Sequence, residues 1–338
     1  MFLPFVNEPY TEYTVPANKA AYRSPLAGDR EQLGLHYTLI IGGEAVDTGR
    51  RIESVNPCRP TEVVGSAAGA DAQLAERAVE AAWSAFPGWS QRPAENRARH
   101  LVKLAALMRE RKYEVSAWET FEASKNWLEA EADVAEAIDF VEYYARQAIE
   151  LADPIEVVGY PGEENESHLI PIGVGVVIPP WNFPLAILVG MTIGPVAAGN
   201  TVVVKPASTT PIIGAKFMEL VRAAGIPPGV INYLPGAGSE IGDVLVDHPR
   251  VRFINFTGSK EVGLRIAERS ARVQPGQLWL KRALMEMGGK DGQIVDETAD
   301  TVAAAQAAVR GAFGFQGQKC SACSRLIVVD DVYDEVLE

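Results

Sequence analysis

Residues 169–204 contain no charged side chain, and this restricts the chain to few arrangements. A single helix of that length could cross a bilayer. Pro171, Pro179, Pro180, Pro184 and Pro195 would break such a helix, and residues 172–178 and 201–204 are β-branched runs typical of strands buried on both faces. The stretch is therefore read as buried parallel strands joined through helices.

The residues that follow extend the pattern. Strands are expected over 173–178, 201–205, 229–234 and 251–256, alternating with helices over 185–198, 211–224, 240–246 and 260–271. Such βα alternation implies a doubly wound, Rossmann-like parallel sheet, with ligands beyond the carboxyl ends of the strands. Upstream, residues 71–85, 94–118 and 130–151 carry Ala, Leu, Glu and Arg at helical spacing and are expected to form a layer over the sheet. The first 35 residues lack periodicity and read as an irregular arm.

With 338 residues, of which 47% are hydrophobic and 22% charged, the chain can build two domains. Its net charge of −13 opposes contact with nucleic acid or an anionic membrane surface, leaving small molecules and copies of itself as the expected partners. Three cysteines, Cys58, Cys320 and Cys323, are too few for a disulfide framework, and the first residues show no basic, apolar leader. A cytoplasmic location is expected.

Several strand ends carry residues suited to chemistry. Prolines 179, 180 and 184 frame Trp181, Asn182 and Phe183; the Asn182 amide could hold a developing oxyanion or cap the helix expected at residue 185. Lys205 could meet ribose hydroxyls or phosphates of a dinucleotide, or simply be solvated. Gly258 and Ser259 open a helix whose free N–H groups suit a phosphate, although Ser259 is also an ordinary N-cap; the standard G-x-G-x-x-G after the first strand is absent. Glu286 lies between Met285 and Met287 ahead of Gly288 and Gly289, an apolar setting that would raise its pKa and favour a general base; a glutamate at a tight turn is the plainer alternative.

Cys320, in Gly314-Phe315-Gln316-Gly317-Gln318-Lys319-Cys320-Ser321-Ala322-Cys323, is the candidate nucleophile, because a thiolate in an activating environment is the strongest nucleophile a side chain offers near neutral pH. Cys320 and Cys323 could instead form a redox couple or half a zinc site. The remaining ligands for zinc are few and scattered, so no metal is expected.

In order and spacing, these segments resemble the aldehyde dehydrogenase superfamily, with its P-W-N, K-P-A-x, F-T-G-S, E-x-G-G-K and G-Q-x-C motifs, from about residue 40 onward. Residues 123–127, 135–144, 252–259 and 314–322 look most like the L-glutamate γ-semialdehyde (1-pyrroline-5-carboxylate) dehydrogenases of proline breakdown. The resemblance implies an oxidoreductase using NAD, with Cys320 attacking the aldehyde, Asn182 and the Cys320 N–H holding the oxyanion, and Glu286 activating the hydrolytic water. It further implies that Lys205 and Ser208 bind adenosine ribose, Ser259 with Gly258 the pyrophosphate, and Pro180, Trp181, Gly238 and Gly288 line the cofactor cleft. Phe183, Glu122 and Ser321 would border the substrate.

Two departures from the family stand out. Ser208 occupies a position where many relatives carry glutamate, so NADP is expected to be accepted beside NAD. The sequence also stops soon after the nucleophile, which implies an arm (1–40), a cofactor domain (41–283, with an oligomerisation arm near 152–172) and only the beginning of a catalytic domain (284–338), a piece expected to be inactive alone. A homo-oligomer and fusion to, or channelling with, a proline dehydrogenase are further implications. A CoA-acylating semialdehyde dehydrogenase and a non-catalytic structural or regulatory paralogue are the alternatives; Glu286 argues against the first, and retention of Cys320, Glu286 and Asn182 against the second.

Overall fold

A computed structural model describes residues 3–338, so the leader reading rests partly on Met1 and Phe2, outside the described residues. The chain divides into two compact units, one running to Thr257 and adding Arg265–Met285, the other made of Gly258–Leu264 and Glu286–Glu338.

The N-terminal segment corrects the expected irregular arm, because α1 (Pro16–Arg30) is a helix. Pro16 supplies a pre-set φ at its start, and Tyr22, fully buried, stacks on Trp127 at 5.0 Å while its hydroxyl donates to the Ser116 carbonyl at 3.0 Å. One aromatic anchor therefore fixes a helix whose apolar periodicity is weak. Short strands that the sequence pattern did not reveal follow: β1 (Leu35–Tyr37), β2 (Leu39–Ile41), β3 (Glu44–Val46), β4 (Arg51–Asn56) and β5 (Arg59–Ala68). Of these, β1, β5 and β4 form a separate three-stranded sheet.

Helices α2 (Ala72–Ser90), α3 (Ala94–Glu110), α4 (Lys112–Ala123) and α5 (Trp127–Glu150) come next. A single helix over 94–118 is thus corrected to two, parted at Arg111 (φ −99, ψ 20). The break turns Lys112 inward, where it pairs with Glu131 and donates to the Pro9 carbonyl at 3.0 Å. A second turn, at Ser124, is left-handed (φ 53); a non-glycine residue there costs about 1–2 kcal/mol. Asn126 then opens α5 with a capping box shared with Glu129.

The charge-free stretch supplies β6 (Val174–Ile178), α6 (Ala186–Ala197) and β7 (Thr201–Val204), followed by α7 (Pro211–Ala224), β8 (Ile231–Tyr233), α8 (Asp243–Asp247), β9 (Val251–Thr257), α9 (Lys260–Ser270) and β10 (Arg282–Glu286). The sheet order is β10-β9-β6-β7-β8-β2-β3; β9, β6, β7 and β8 are parallel, and the β2–β3 hairpin finishes one edge antiparallel. The chain steps outward from β6 to β8 and then returns to β9 on the other side of β6, so the switch point of this sheet lies between β6 and β9. The core is built from Val177, Val202 and Val204 of the strands with Leu101, Leu104, Ile138, Val189 and Phe217 of the helices. Among the described residues no helix is long and apolar enough to cross a membrane.

The second unit is a βαβ arrangement: β11 (Asp291–Val295), α10 (Thr301–Phe313) and β12 (Cys323–Val328), with α11 (Tyr333–Leu337) after it. The two strands are parallel, with Asp291 opposite Cys323.

Candidate active site

Parallel register brings the carboxyl ends of β6, β7 and β8 to one edge. Lys205 N donates to the Val177 carbonyl, and Leu234 N to the Val204 carbonyl, each at 2.8 Å. The segments that leave this edge carry Pro180, Trp181, Asn182 and Phe183, then Lys205 and Ser208, then Gly238. Lys205 is not the solvated lysine of the plainer reading. It is 6% exposed, its Nζ donates to the Pro206 carbonyl at 3.2 Å, and burial pushes its pKa down to about 8. Gly238 lies against its stem: a Cβ at Gly238 would lie 3.8 Å from Lys205 Cε. A buried cation whose one hydrogen-bond partner among the described residues is a backbone oxygen, beside a glycine, suits hydroxyls of a bound dinucleotide. Ser208 is exposed.

After β6 the chain makes a proline-framed turn to α6. Pro180 is buried, Trp181 is 45% exposed, and Asn182 and Phe183 are half-buried. The first amide of α6, Ala186 N, donates to Asp133 Oδ1 at 2.6 Å, so α5 supplies an acceptor at this helix start.

Glu122 departs from the pocket role expected of it. It is 1% exposed and accepts hydrogen bonds from Ile212 N (2.8 Å), Ile213 N (2.7 Å) and Ser54 Oγ (2.8 Å). Burial outweighs those bonds and pushes its pKa up to about 7. The carboxyl group serves the N-terminus of α7.

The second unit gathers three of the motif segments at the opposite kind of edge. Parallel strands begin at the same end, so the residues preceding β11 and those preceding β12 become neighbours. The first segment carries Glu286, Gly288 and Gly289; the second carries Cys320 and Ser321. Gly289 approaches so closely that a Cβ on it would lie 2.3 Å from the Cys320 carbonyl oxygen. Arg325 Nη2 donates to the Lys290 carbonyl at 2.5 Å, and Gly258 N donates to the Glu286 carbonyl at 3.1 Å. Ser259 Oγ accepts from Val262 N at 3.3 Å, an N-cap for α9.

Cys320, Ser321, Glu286 and Gly288 are exposed in this unit. Glu286 is not enclosed by its methionine neighbours as the sequence suggested. It ends a strand, where alternate side chains point to opposite faces, so Met285 turns away from it. The turn ahead of Cys320 is strained: Phe315 (φ 50), Gln316 (φ 54) and Gly317 (φ 69) are all left-handed, and only the last is a glycine. Cys323, half-buried, faces α10, its Cβ 3.5 Å from where a Cβ on Gly311 would sit. Cys58, Cys320 and Cys323 are all free thiols. No cluster of three or more His, Cys, Asp or Glu side chains suited to a metal occurs among the described residues.

Sequence reasoning missed Gly289 and Asp133. The Gly288-Gly289 pair was visible but gave no sign of which strand start it would meet. Asp133 had a readable signal: it is a charged residue among Ala130, Val134 and Ala137 on an apolar helix face, a placement that requires a buried partner.

A 1-pyrroline-5-carboxylate dehydrogenase of Geobacillus thermodenitrificans is 56% identical over 337 residues, covering 100% of this chain and 65% of the relative. A 1-pyrroline-5-carboxylate dehydrogenase from Thermus, solved with bound NAD, superposes with TM-score 0.96 at 57% identity, covering 99% of this chain and 65% of that one. Proline utilization A from Bdellovibrio bacteriovorus superposes with TM-score 0.95 at 43% identity, covering 99% of this chain and 35% of that one. This chain therefore spans about 65% of the length of the dehydrogenases it resembles. Residues 45–338 match the aldehyde dehydrogenase family, and the chain belongs to that family.

Proposed function

We propose that the protein containing this chain oxidises L-glutamate γ-semialdehyde, the open form of 1-pyrroline-5-carboxylate, to L-glutamate. The observation that carries this is identity of 56% to a 1-pyrroline-5-carboxylate dehydrogenase along the whole chain, with Cys320, Glu286 and Asn182 all retained. The buried Lys205 beside Gly238 fits the adenosine end of a dinucleotide, with Ser208 next to it and Ser259 for the pyrophosphate. NAD, and with Ser208 also NADP, supplies the two-electron acceptor when bound.

The chain's own residues divide the rest of the work. Cys320 Sγ adds to the aldehyde carbon, and the Asn182 amide and the Cys320 backbone N–H receive the negative oxygen. Loss of hydride from that carbon leaves a thioester on Cys320. Glu286 takes a proton from the water that attacks it, and glutamate leaves as the thiol is restored. Phe183 and Ser321 border the substrate in this reading.

In the same reading the first unit is the cofactor domain and the second begins the catalytic domain. Residues 152–172 form an exposed arm, closed by an Ile155–Ser167 bridge and carrying Val158 and Ile170 at 94% and 77% exposure, suited to contact within a homo-oligomer. The free thiols suit a cytoplasmic location. A partnership with a proline dehydrogenase belongs to the same reading, as the proline-breakdown resemblance implies.

The deciding experiment assays the complete gene product with pyrroline-5-carboxylate, NAD and NADP, against short aliphatic aldehydes. NADH formed preferentially from pyrroline-5-carboxylate, and lost in Cys320→Ala, is the expected result. Equal or better turnover of simple aldehydes would overturn the substrate assignment.

A further inference from the structure

Three charged side chains are buried together in the first unit. Lys125 and Asp133 form one ion pair and Lys125 and Glu119, at 3.1 Å, another; all three side chains are at most 1% exposed. Buried ion pairs are costly arrangements that hydrophobic residues often replace without loss, so their retention asks for a reason beyond stability. The chain also enters a left-handed turn at Ser124 to bring Lys125 inside.

What the cluster touches supplies the reason. Lys125 Nζ lies over the ring of Phe183, 4.6 Å from its centroid, and Asp133 Oδ1 accepts from Ala186 N at 2.6 Å. These contacts hold the turn that carries Asn182 from two sides, one at the residue after Asn182 and one at the start of α6. Leu185, at the N-cap position of α6, contributes no side-chain bond to the helix start. A cation over an aromatic face and a charged acceptor at a helix N-terminus are both directional, so the cluster fixes orientation as well as position.

We propose that Lys125, with Asp133 and Glu119, is a positioning residue that holds Asn182 and Phe183 in their working geometry. This rests on the aldehyde-oxidation reading for its catalytic consequence. Lys125 acts through the Phe183 ring and, with Asp133, through the start of α6.

The test uses the complete gene product with Lys125→Met, Lys125→Arg and Asp133→Asn. Asp133→Asn keeps a hydrogen-bond acceptor for Ala186 N and serves if Lys125→Met fails to fold. Two readouts are taken: amide hydrogen exchange over residues 179–189, and aldehyde oxidation per reactive Cys320 titrated with iodoacetamide. Faster exchange confined to 179–189, with kcat per titrated site down at least tenfold, the KM for NAD within twofold, and partial rescue by Lys125→Arg, is the expected result. Unchanged exchange in that segment with kcat per site at the wild-type value would overturn the proposal, leaving the cluster a stability element. If the unsubstituted protein oxidises no aldehyde, the functional reading fails separately, and the exchange experiment still decides whether the cluster holds the turn.

Discussion

Gly289 and Cys320 meet backbone to backbone: the carbonyl oxygen of Cys320 occupies the place, 2.3 Å away, where any other residue at position 289 would put its Cβ. The segment bearing the proposed base and the segment bearing the proposed nucleophile can thus approach this closely because position 289 has no side chain.

Gly289→Ala is expected to push these segments apart. The overlap falls on backbone atoms, which cannot rotate out of the way as a flexible side chain would, and overpacking of this kind costs about 1–3 kcal/mol. Aldehyde oxidation should fall at least tenfold and the iodoacetamide rate at Cys320 should change. Wild-type kinetics in the variant would show that the neighbouring segment shifts without consequence.

Ser208→Glu should restrict the cofactor choice. Ser208 is exposed next to the buried Lys205, so a carboxylate there would meet a 2′-phosphate in open solution range and repel it. The ratio of kcat/KM for NADP to that for NAD should drop at least tenfold in the variant; an unchanged ratio would place the discrimination elsewhere.

Lys205→Met should separate stability from binding. The folded pKa of Lys205, about 8, lies below its ordinary 10.5, so folding loses stability as pH falls from 10.5 toward 8, and the whole loss is present at pH 7. From the shift this is on the order of 3 kcal/mol. The variant should melt higher than the parent without cofactor, yet bind NAD at least tenfold more weakly by calorimetry. A lower melting temperature would contradict the uncompensated burial.

Glu122 predicts the opposite pH slope. Its folded pKa, about 7, lies above the ordinary 4.5, so its contribution is fully favourable below pH 4.5 and is lost as pH rises through 7. The loss is on the order of 3 kcal/mol by pH 8. Urea unfolding of Glu122→Gln between pH 5 and 8 should show a flatter dependence than the parent; parallel curves would mean the carboxyl group does not titrate in this window.

Much of the fold was legible where local rules and tertiary packing agree. Pro211 at a helix start and Gly225 in a left-handed C-cap (φ 78) bracket α7 at the expected residues 211–224. The strands β6 and β7 declared themselves by β-branched runs that a doubly covered sheet buries. Three-residue strands such as β1 to β3 have too little sequence for a period, and α1 depends on Tyr22 finding Trp127, a partner more than 100 residues away. At the site, residue type alone limits the chemistry open to Cys320 and Asn182, so the roles proposed for them come from the sequence. The seating of Lys205, Glu122 and Asp133 was not, since burial and partners depend on the folded chain. Gly289 shows the same limit from the other side, for its importance lies in an atom it does not have.

The β2–β3 hairpin carries a consequence for the order of events during synthesis. Ile40 pairs with Tyr233, and Gly42 N donates to Asn232 Oδ1 at 2.8 Å, across a sequence separation of 190 residues. At bacterial-to-eukaryotic elongation rates, that separation corresponds to roughly 10–40 s between emergence of the hairpin and emergence of the strand it joins. For that interval one of the earliest-made parts of the sheet has no edge to dock on, and the sheet is completed by the return of its beginning.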